Sequence, residues 1–341
     1  MTNKNIIFAP LISSGGGKKL LTDIILSLND KDTLLFLDSR FYKSNNIKNI
    51  DEFNIISVKN TIFDFLVSEF RLYMSSTKST KVLCFHGAPP IFKNPGYVIV
   101  FFQNKLHFSK SKFFSFNLWI KKYFFLESFD FCQKIIVQTE SMKLELIKNS
   151  KPYLDPKKID IFPFANLTHK NNSLNYKKKF DFIYVADGYN HKNHLNLFLA
   201  WAILAENGIF PSLALTLPKS NKSFIQLTDR FVLKYKLNIK NLYTLDQKTL
   251  VKTYLKSRAL IYPSFSESFG LPLSEASYLN IPIIASELDF VRDVCNPIET
   301  FDPKSPLSIS RAVERFLKIP KKINPIFTAP QFLNKVFNES P

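Results

Sequence analysis

The chain has 341 residues, 45% of them hydrophobic, and its 46 Lys and Arg against 28 Asp and Glu give a net charge of +18. That length suffices for two α/β domains with separate cores, and no apolar stretch approaches the ~20 residues of a membrane span. Cys84, Cys132 and Cys295 have no paired spacing and the five histidines form no ligand pattern, so neither a disulfide framework nor a protein-bound metal is expected.

Met1 to Asn5 leads straight into a short apolar run that a glycine loop interrupts, which is not the pattern of a signal peptide; a cytoplasmic protein is expected. Asn5–Leu11 reads as a strand, Ser13–Gly17 as a loop and Leu20–Leu28 as an amphipathic helix. Glycines between a first strand and a first helix let a phosphate or sugar approach the backbone. Gly15, Gly16 and Gly17 match neither the spaced dinucleotide fingerprint nor a P-loop, which counts against dehydrogenase and NTPase readings. Further strands are expected at Asp32–Asp38, Phe53–Val58, Lys81–Phe85 and Tyr97–Phe102. Strands alternating with helical segments predict a parallel sheet, whose ligands gather at the carboxyl ends of the strands. His86-Gly87 and Gln103-Asn104 fall at two such ends.

Gln133–Glu140 and Lys158–Phe162 read as strands around a helix at Ser141–Lys148, and Leu167–Lys179, rich in Asn, Lys and Ser, reads as an interdomain linker. The predicted division is 1–170 for a first domain, 171–325 for a second and 326–341 for a tail that crosses back onto the first. The second domain opens with a strand at Phe180–Ala186, a polar loop from Asp187 to Asn193 and a helix at His194–Glu206. Lys192 stands just before that helix, where a cation can neutralise a diphosphate. Strands at Ser212–Leu217, Leu242–Leu245 and Ala259–Tyr262, with a helix at Thr249–Ser257, lead to Glu267-Ser-Phe-Gly-Leu-Pro-Leu-Ser-Glu275. A strand at Ile281–Ala285 and a helix at Ser305–Leu317 follow. Pro272 suits a first helical turn, so two carboxylates eight positions apart bracket the amides of a helix N-terminus, an arrangement fitted to a sugar and a phosphate together.

These residues resemble the Glu-x7-Glu signature of retaining glycosyltransferases, in particular glycosyltransferase family 4, and the resemblance implies the GT-B fold: two Rossmann-like α/β domains whose parallel sheets face a central cleft. It covers 180–320 well and 1–175 loosely. Carried over by residue, it implies that Glu275 bonds the ribose or nucleotide end and Glu267 the donor sugar. Phe269, Gly270 and Leu271 would offer amides to sugar and phosphate, and Lys192 would balance the diphosphate. Gly15 and Gly16 resemble the loop that faces the donor, His86 the histidine that reaches the reaction centre, and Gln103 and Asn104 a pair on the acceptor side. Asp187-Gly188 departs from the pattern, since most relatives carry an arginine there.

The implied activity is metal-independent retaining transfer of a hexose from a nucleotide sugar, a co-substrate rather than a cofactor, to a glycan acceptor in cell-surface polysaccharide assembly. A sugar phosphorylase, a nucleotide-sugar epimerase and a non-catalytic partner subunit remain open on the same fold. Charge alone raises nucleic-acid binding, and the excess is shared almost evenly between the halves without a recognition motif, so no nucleic-acid partner is expected. From Phe70 to Leu126, however, there is no Asp or Glu, and Lys105, Lys110, Lys112, Lys121 and Lys122 alternate with Phe108, Phe113, Phe114, Phe116, Trp119 and Ile120. That mixture suits an anionic membrane surface, and an acceptor on a lipid diphosphate would agree with it.

Overall fold

The structure is a computed structural model that describes residues 5–44, 47, 50–103, 128–150, 154–165 and 176–320. In the first domain β1 (Asn5–Ala9), β2 (Leu34–Asp38), β3 (Asn54–Val58), β4 (Lys81–Cys84), β5 (Tyr97–Phe101), β6 (Lys134–Val137) and β7 (Ile159–Ile161) form a sheet of order β3-β2-β1-β4-β5-β6-β7. In the second, β8 (Phe180–Tyr184), β9 (Leu213–Leu215), β10 (Ile239–Asn241), β11 (Ser257–Tyr262), β12 (Ile283–Ser286) and β13 (Glu299–Phe301) take the order β10-β9-β8-β11-β12-β13. Every pairing is parallel, with Ile6 opposite both Leu34 and Val82, and Leu260 opposite both Ile183 and Ile283.

Alternation along β1 shows why the strands read as unbroken apolar runs. Ile6 and Phe8 enter one core while Ile7 and Ala9 enter the other, so a strand covered on both faces has no polar side. Each sheet also reverses its strand order once, between β1 and β4 and between β8 and β11. The loops that leave these four strands carry the glycines, His86, Lys192 and Glu267, so both crevices where ligands of such sheets collect are lined by predicted site residues.

Three local expectations are corrected. The loop expected through Gly17 ends at Ser14, and the helix expected at Leu20–Leu28 runs from Gly15 to Leu26, so the three glycines form its first turn. The strand expected at Leu242–Leu245 lies at Ile239–Asn241 instead, because the chain turns there: Tyr243 takes φ +59° and its N–H donates to Asn241 Oδ1 at 3.2 Å. The helix expected at Thr249–Ser257 runs from Gln247 to Leu255, started by the Asp246 carboxylate accepting from Thr249 N–H at 3.0 Å. A helix at Lys222–Tyr235 and β13 were not anticipated. Asn104, the basic and aromatic run from Lys105 to Lys122, the 170/171 division and the 326–341 tail lie outside the described residues. Among the described residues no helix is long and apolar enough to cross a membrane.

Candidate active site

The loop after β11 turns into the helix Leu271–Tyr278 through Gly270, which takes φ +80° as the capping residue. A Cβ there would lie 3.0 Å from Leu273 Cδ1, so both backbone and space call for glycine. The first bond of the helix runs from Leu273 N–H to Gly270 C=O at 2.8 Å, which leaves the amides of Phe269, Gly270 and Leu271 ahead of it at the positive end of the dipole. Pro272 sits in this first turn, where its missing N–H costs nothing.

Lys192 approaches from the loop after β8. Its ammonium donates to both carboxylate oxygens of Glu267, at 2.7 and 2.8 Å, and the two side chains are 17% and 10% exposed. The loop that presents Lys192 is fastened at several points. Tyr184 Oη donates to Lys192 C=O at 2.5 Å, and Phe265 N–H donates to His191 C=O at 2.8 Å. Asn193, in the left-handed region at φ 60°, donates through Nδ2 to the carbonyls of Pro263 and Pro303 at 2.9 and 2.7 Å. Burial first, and the Lys192 charge second, push the His191 imidazole below its ordinary value, with Glu267 opposing. A neutral ring is therefore favoured beside the ammonium.

At Gly188 a Cβ would fall 2.7 Å from the Phe224 ring, and the Gly188 N–H donates to Asn221 Oδ1 at 3.1 Å. A side chain at that position would require the Phe224 ring and Asn221 to shift. At Gly188 the arginine of the resemblance would therefore crowd the start of the Lys222–Tyr235 helix.

Glu275 is buried on the Leu271–Tyr278 helix, and both of its oxygens are engaged. Tyr254 Oη donates to Oε2 at 3.0 Å, and Lys19 of the first domain forms an ion pair with Oε1. Burial, with this carboxylate beside it, holds the Tyr254 phenol well above its ordinary value, so the hydroxyl is a donor here. The two carboxylates that bracket the helix start are thus each paired with a lysine, Glu267 with Lys192 and Glu275 with Lys19.

The glycine turn that opens the helix Gly15–Leu26 faces the same helix start. A Cβ on Gly16 would stand 3.4 Å from Leu271 Cδ1, one on Gly17 would stand 3.2 Å from Gln103 Oε1, and one on Gly15, at φ +67°, would meet nothing within 4 Å. Gln103 donates through Nε2 to Phe85 C=O at 2.7 Å, which ties the ends of β5 and β4 together beside Gly17. His86, half-buried at the end of β4, has Nδ1 3.3 Å from Phe8 C=O and packs edge-on against the rings of Phe8 and Phe65. Loops from the two domains also meet where Thr139 Oγ1 lies 3.5 Å from Ser268 C=O and Ser141 N–H donates to Asp293 Oδ2 at 3.0 Å. The structure therefore gathers Glu267, Lys192, Phe269, Gly270, Leu271 and Glu275 around one helix start, with Gly16 opposite.

Lys19 and Tyr254 were missed by sequence reasoning. Lys19 had one available signal, a cation just after the glycine loop; Tyr254, inside a helix beyond the signature's bounds, had none.

The fold is GT-B, two Rossmann-like α/β domains with parallel sheets, and residues 166–326 match the family model described as Glycosyl transferases group 1. That match falls on the second domain and takes in just under half of the chain. Over 79 residues, 23% of this chain, the sequence is 34% identical to the Escherichia coli serotype-specific mannosyltransferase WbdA, and the match spans 10% of that relative's length. Anabaena HepE in complex with UDP superposes with a TM-score of 0.69 at 14% identity, covering 92% of this chain and 90% of that one. Sucrose-phosphate synthase from Thermosynechococcus elongatus gives 0.68 at 15% identity, covering 93% and 90%.

Proposed function

We propose that the protein is a retaining glycosyltransferase that moves a hexose from a nucleotide sugar to a glycan acceptor. The observation that carries this reading is the Lys192–Glu267 pair set against the Gly270-capped helix start, with buried Glu275 one helical turn beyond. Breaking the bond between the anomeric carbon and the diphosphate oxygen places negative charge on the leaving group. Fixed amides and a lysine in a site poor in water stabilise that charge without reorganising. Glu267 is then offered to hydroxyls of the donor sugar and Glu275 to the ribose. His86 contacts the reaction centre, Gly15 and Gly16 face the donor, and Gln103 and Asn104 lie toward the acceptor.

The group 1 match over the second domain supports this assignment, as do relatives named as mannosyltransferases and a neighbour whose structures hold UDP and UDP-glucose. We read the transfer as needing no protein-bound metal, since Lys192 and the helix amides supply the positive field, so turnover is expected to survive excess chelator. Rescue by Mn²⁺ or Mg²⁺ after chelation would contradict that. The setting we propose is the cytoplasmic face of an anionic membrane, with an acceptor on a lipid diphosphate in polysaccharide assembly.

The test is a thermal-shift screen of nucleotide sugars followed by transfer assays with the ligands that stabilise. A ligand at a hundred times its dissociation constant stabilises by about 2.7 kcal/mol. Release of sugar by inorganic phosphate, or interconversion of free nucleotide sugars, would assign a phosphorylase or an epimerase instead.

A further inference from the structure

The Lys19–Glu275 contact joins residues 256 positions apart. Lys19 stands on the helix Gly15–Leu26 of the first domain and Glu275 on the helix Leu271–Tyr278 of the second. It is an ion pair that crosses between the domains, beside hydrogen-bond contacts at Thr139–Ser268 and Ser141–Asp293 and the apolar packing of Leu271 on the first domain. The partners are unequally buried, with side chains 29% and 7% exposed for Lys19 and Glu275. The carboxylate is thus a fixed, desolvated acceptor and the lysine reaches in from the cleft side. Tyr254 holds Oε2 from within the second domain, so it keeps the carboxylate in place whether or not Lys19 is present.

We infer that Lys19 is an interdomain latch whose ammonium occupies the hydrogen-bonding position on Glu275 that the ribose diol of a nucleotide would take. This rests on the proposed reading of Glu275 as the ribose contact. A ribose hydroxyl and the Lys19 ammonium are both donors, and with Oε2 held by Tyr254 they compete for the buried Oε1. Entry of the nucleoside therefore requires the ion pair to open, and opening it removes the charged tie between the domains. Lys19 lies one helical turn beyond Gly16, which stands beside the Leu271 side chain at the start of the facing helix. The released ammonium is thereby left beside the helix start assigned to phosphate, where a diphosphate recaptures it and a bare nucleoside does not. Lys19 thus taxes ligands that lack phosphates and returns the tax to those that carry them, which makes it a specificity device for nucleoside diphosphates over nucleosides.

The apparent dissociation constant is the intrinsic one divided by the competent fraction, so a latch closed about nine-tenths of the time weakens a nucleoside about tenfold. The experiment uses the full chain with Lys19→Met and Lys19→Arg, and titrates UDP, GDP and ADP beside uridine, guanosine and adenosine. Small-angle scattering of the ligand-free proteins accompanies it. Lys19→Met should broaden the ligand-free scattering envelope and tighten nucleoside binding about tenfold, with a smaller gain or none for the matching diphosphate; Lys19→Arg should behave as the unaltered protein. If the unaltered protein binds a nucleoside diphosphate but Lys19→Met leaves both scattering and the nucleoside-to-diphosphate ratio unchanged, the latch is overturned while the donor site stands. If no nucleotide binds either protein, the ribose assignment of Glu275 fails and the inference with it.

Discussion

The Lys192 ammonium sits almost midway between the two carboxylate oxygens of Glu267, at 2.7 and 2.8 Å, in a pocket that exposes little of either side chain. Breaking such a pair from one side leaves an uncompensated charge. Lys192→Met and Glu267→Gln are each expected to lower folding stability by roughly 1–3 kcal/mol. The combined variant should cost less than the sum of the two, because the second change removes the orphan left by the first. Denaturant titrations that give additive losses would show that the pair is not energetically coupled.

Ligand affinity tests the same residues by another route. Glu275→Ala removes a charged acceptor and Lys192→Ala a charged donor, each worth roughly 1.5–3 kcal/mol to a desolvated polar ligand. Nucleotide-sugar affinity should fall tenfold or more in each. Calorimetry that finds both folded variants unchanged would remove the donor site from this helix.

Gly270→Ala separates backbone geometry from charge. An alanine must hold φ near +80° with its Cβ against Leu273, and left-handed backbone costs roughly 1–2 kcal/mol outside glycine. The expected outcome is a modest stability loss with a larger loss of nucleotide-sugar affinity, since the amides of Phe269 and Leu271 turn with the residue between them. A variant that loses stability but binds as before would mean that those amides do not touch the ligand.

Two buried groups set opposing pH dependences. Glu69, held by burial at about 7 against an ordinary 4.5, accepts from Ile91 N–H through Oε2 and finds no partner for Oε1. The folded chain keeps a proton that the unfolded chain has lost, so its stability contribution is lost as pH rises from about 4.5 to about 7. His194 runs the other way. Burial pushes its ring down to about 3 from 6.5, neither nitrogen has a partner, and its stability contribution is lost as pH falls below 6.5. Each slope is about 1.4 kcal/mol per pH unit, and they cancel where the windows overlap. Glu69→Gln should therefore leave a stability that rises with pH between 5 and 6.5, and His194→Phe one that falls with pH over the same range. His194→Phe should also be neutral or stabilising at pH 7, since Tyr184, Phe198 and Phe224 already surround the ring. Parallel pH curves for all three proteins would contradict both assignments.

Membrane contact is tested on vesicles. The protein should co-sediment with anionic liposomes and release as salt rises, since each surface lysine is worth only about 1 kcal/mol and is screened within a Debye length. Changing Lys110, Lys112, Lys121 and Lys122 to Ser should abolish sedimentation without changing nucleotide-sugar affinity. Equal sedimentation with neutral vesicles, or none with either, would leave a soluble acceptor as the better reading.

What could be read from the chain follows the range of the forces involved. The runs at Ile6–Ala9, Leu34–Leu37 and Leu260–Tyr262 are legible as strands because burial on both faces imposes an unbroken apolar string. The Leu271–Tyr278 helix start is legible because glycine and proline there answer local backbone demands. The three-residue β13 is too short to carry a period, and the Lys222–Tyr235 helix begins at Asn221 without a side-chain cap to mark it. The partners of Glu275 are hidden for a different reason. Lys19 and Tyr254 reach it only through the folded arrangement of two helices and a domain boundary, and no local pattern encodes that meeting.

The fastening of the Asp187–Asn193 loop has a consequence for how the protein would respond to its ionic surroundings. With Gly188 wedged against Phe224 and Asn193 tied to Pro263 and Pro303, the backbone that carries Lys192 has nowhere to go, and only the side chain can change partner. An arriving diphosphate does not meet a bare cation drawing it through solvent. It competes for the ammonium with a carboxylate already seated there and tethered beside it, so Lys192 adds less salt sensitivity than an unpaired cation would, and what remains reflects the strongly basic chain as a whole.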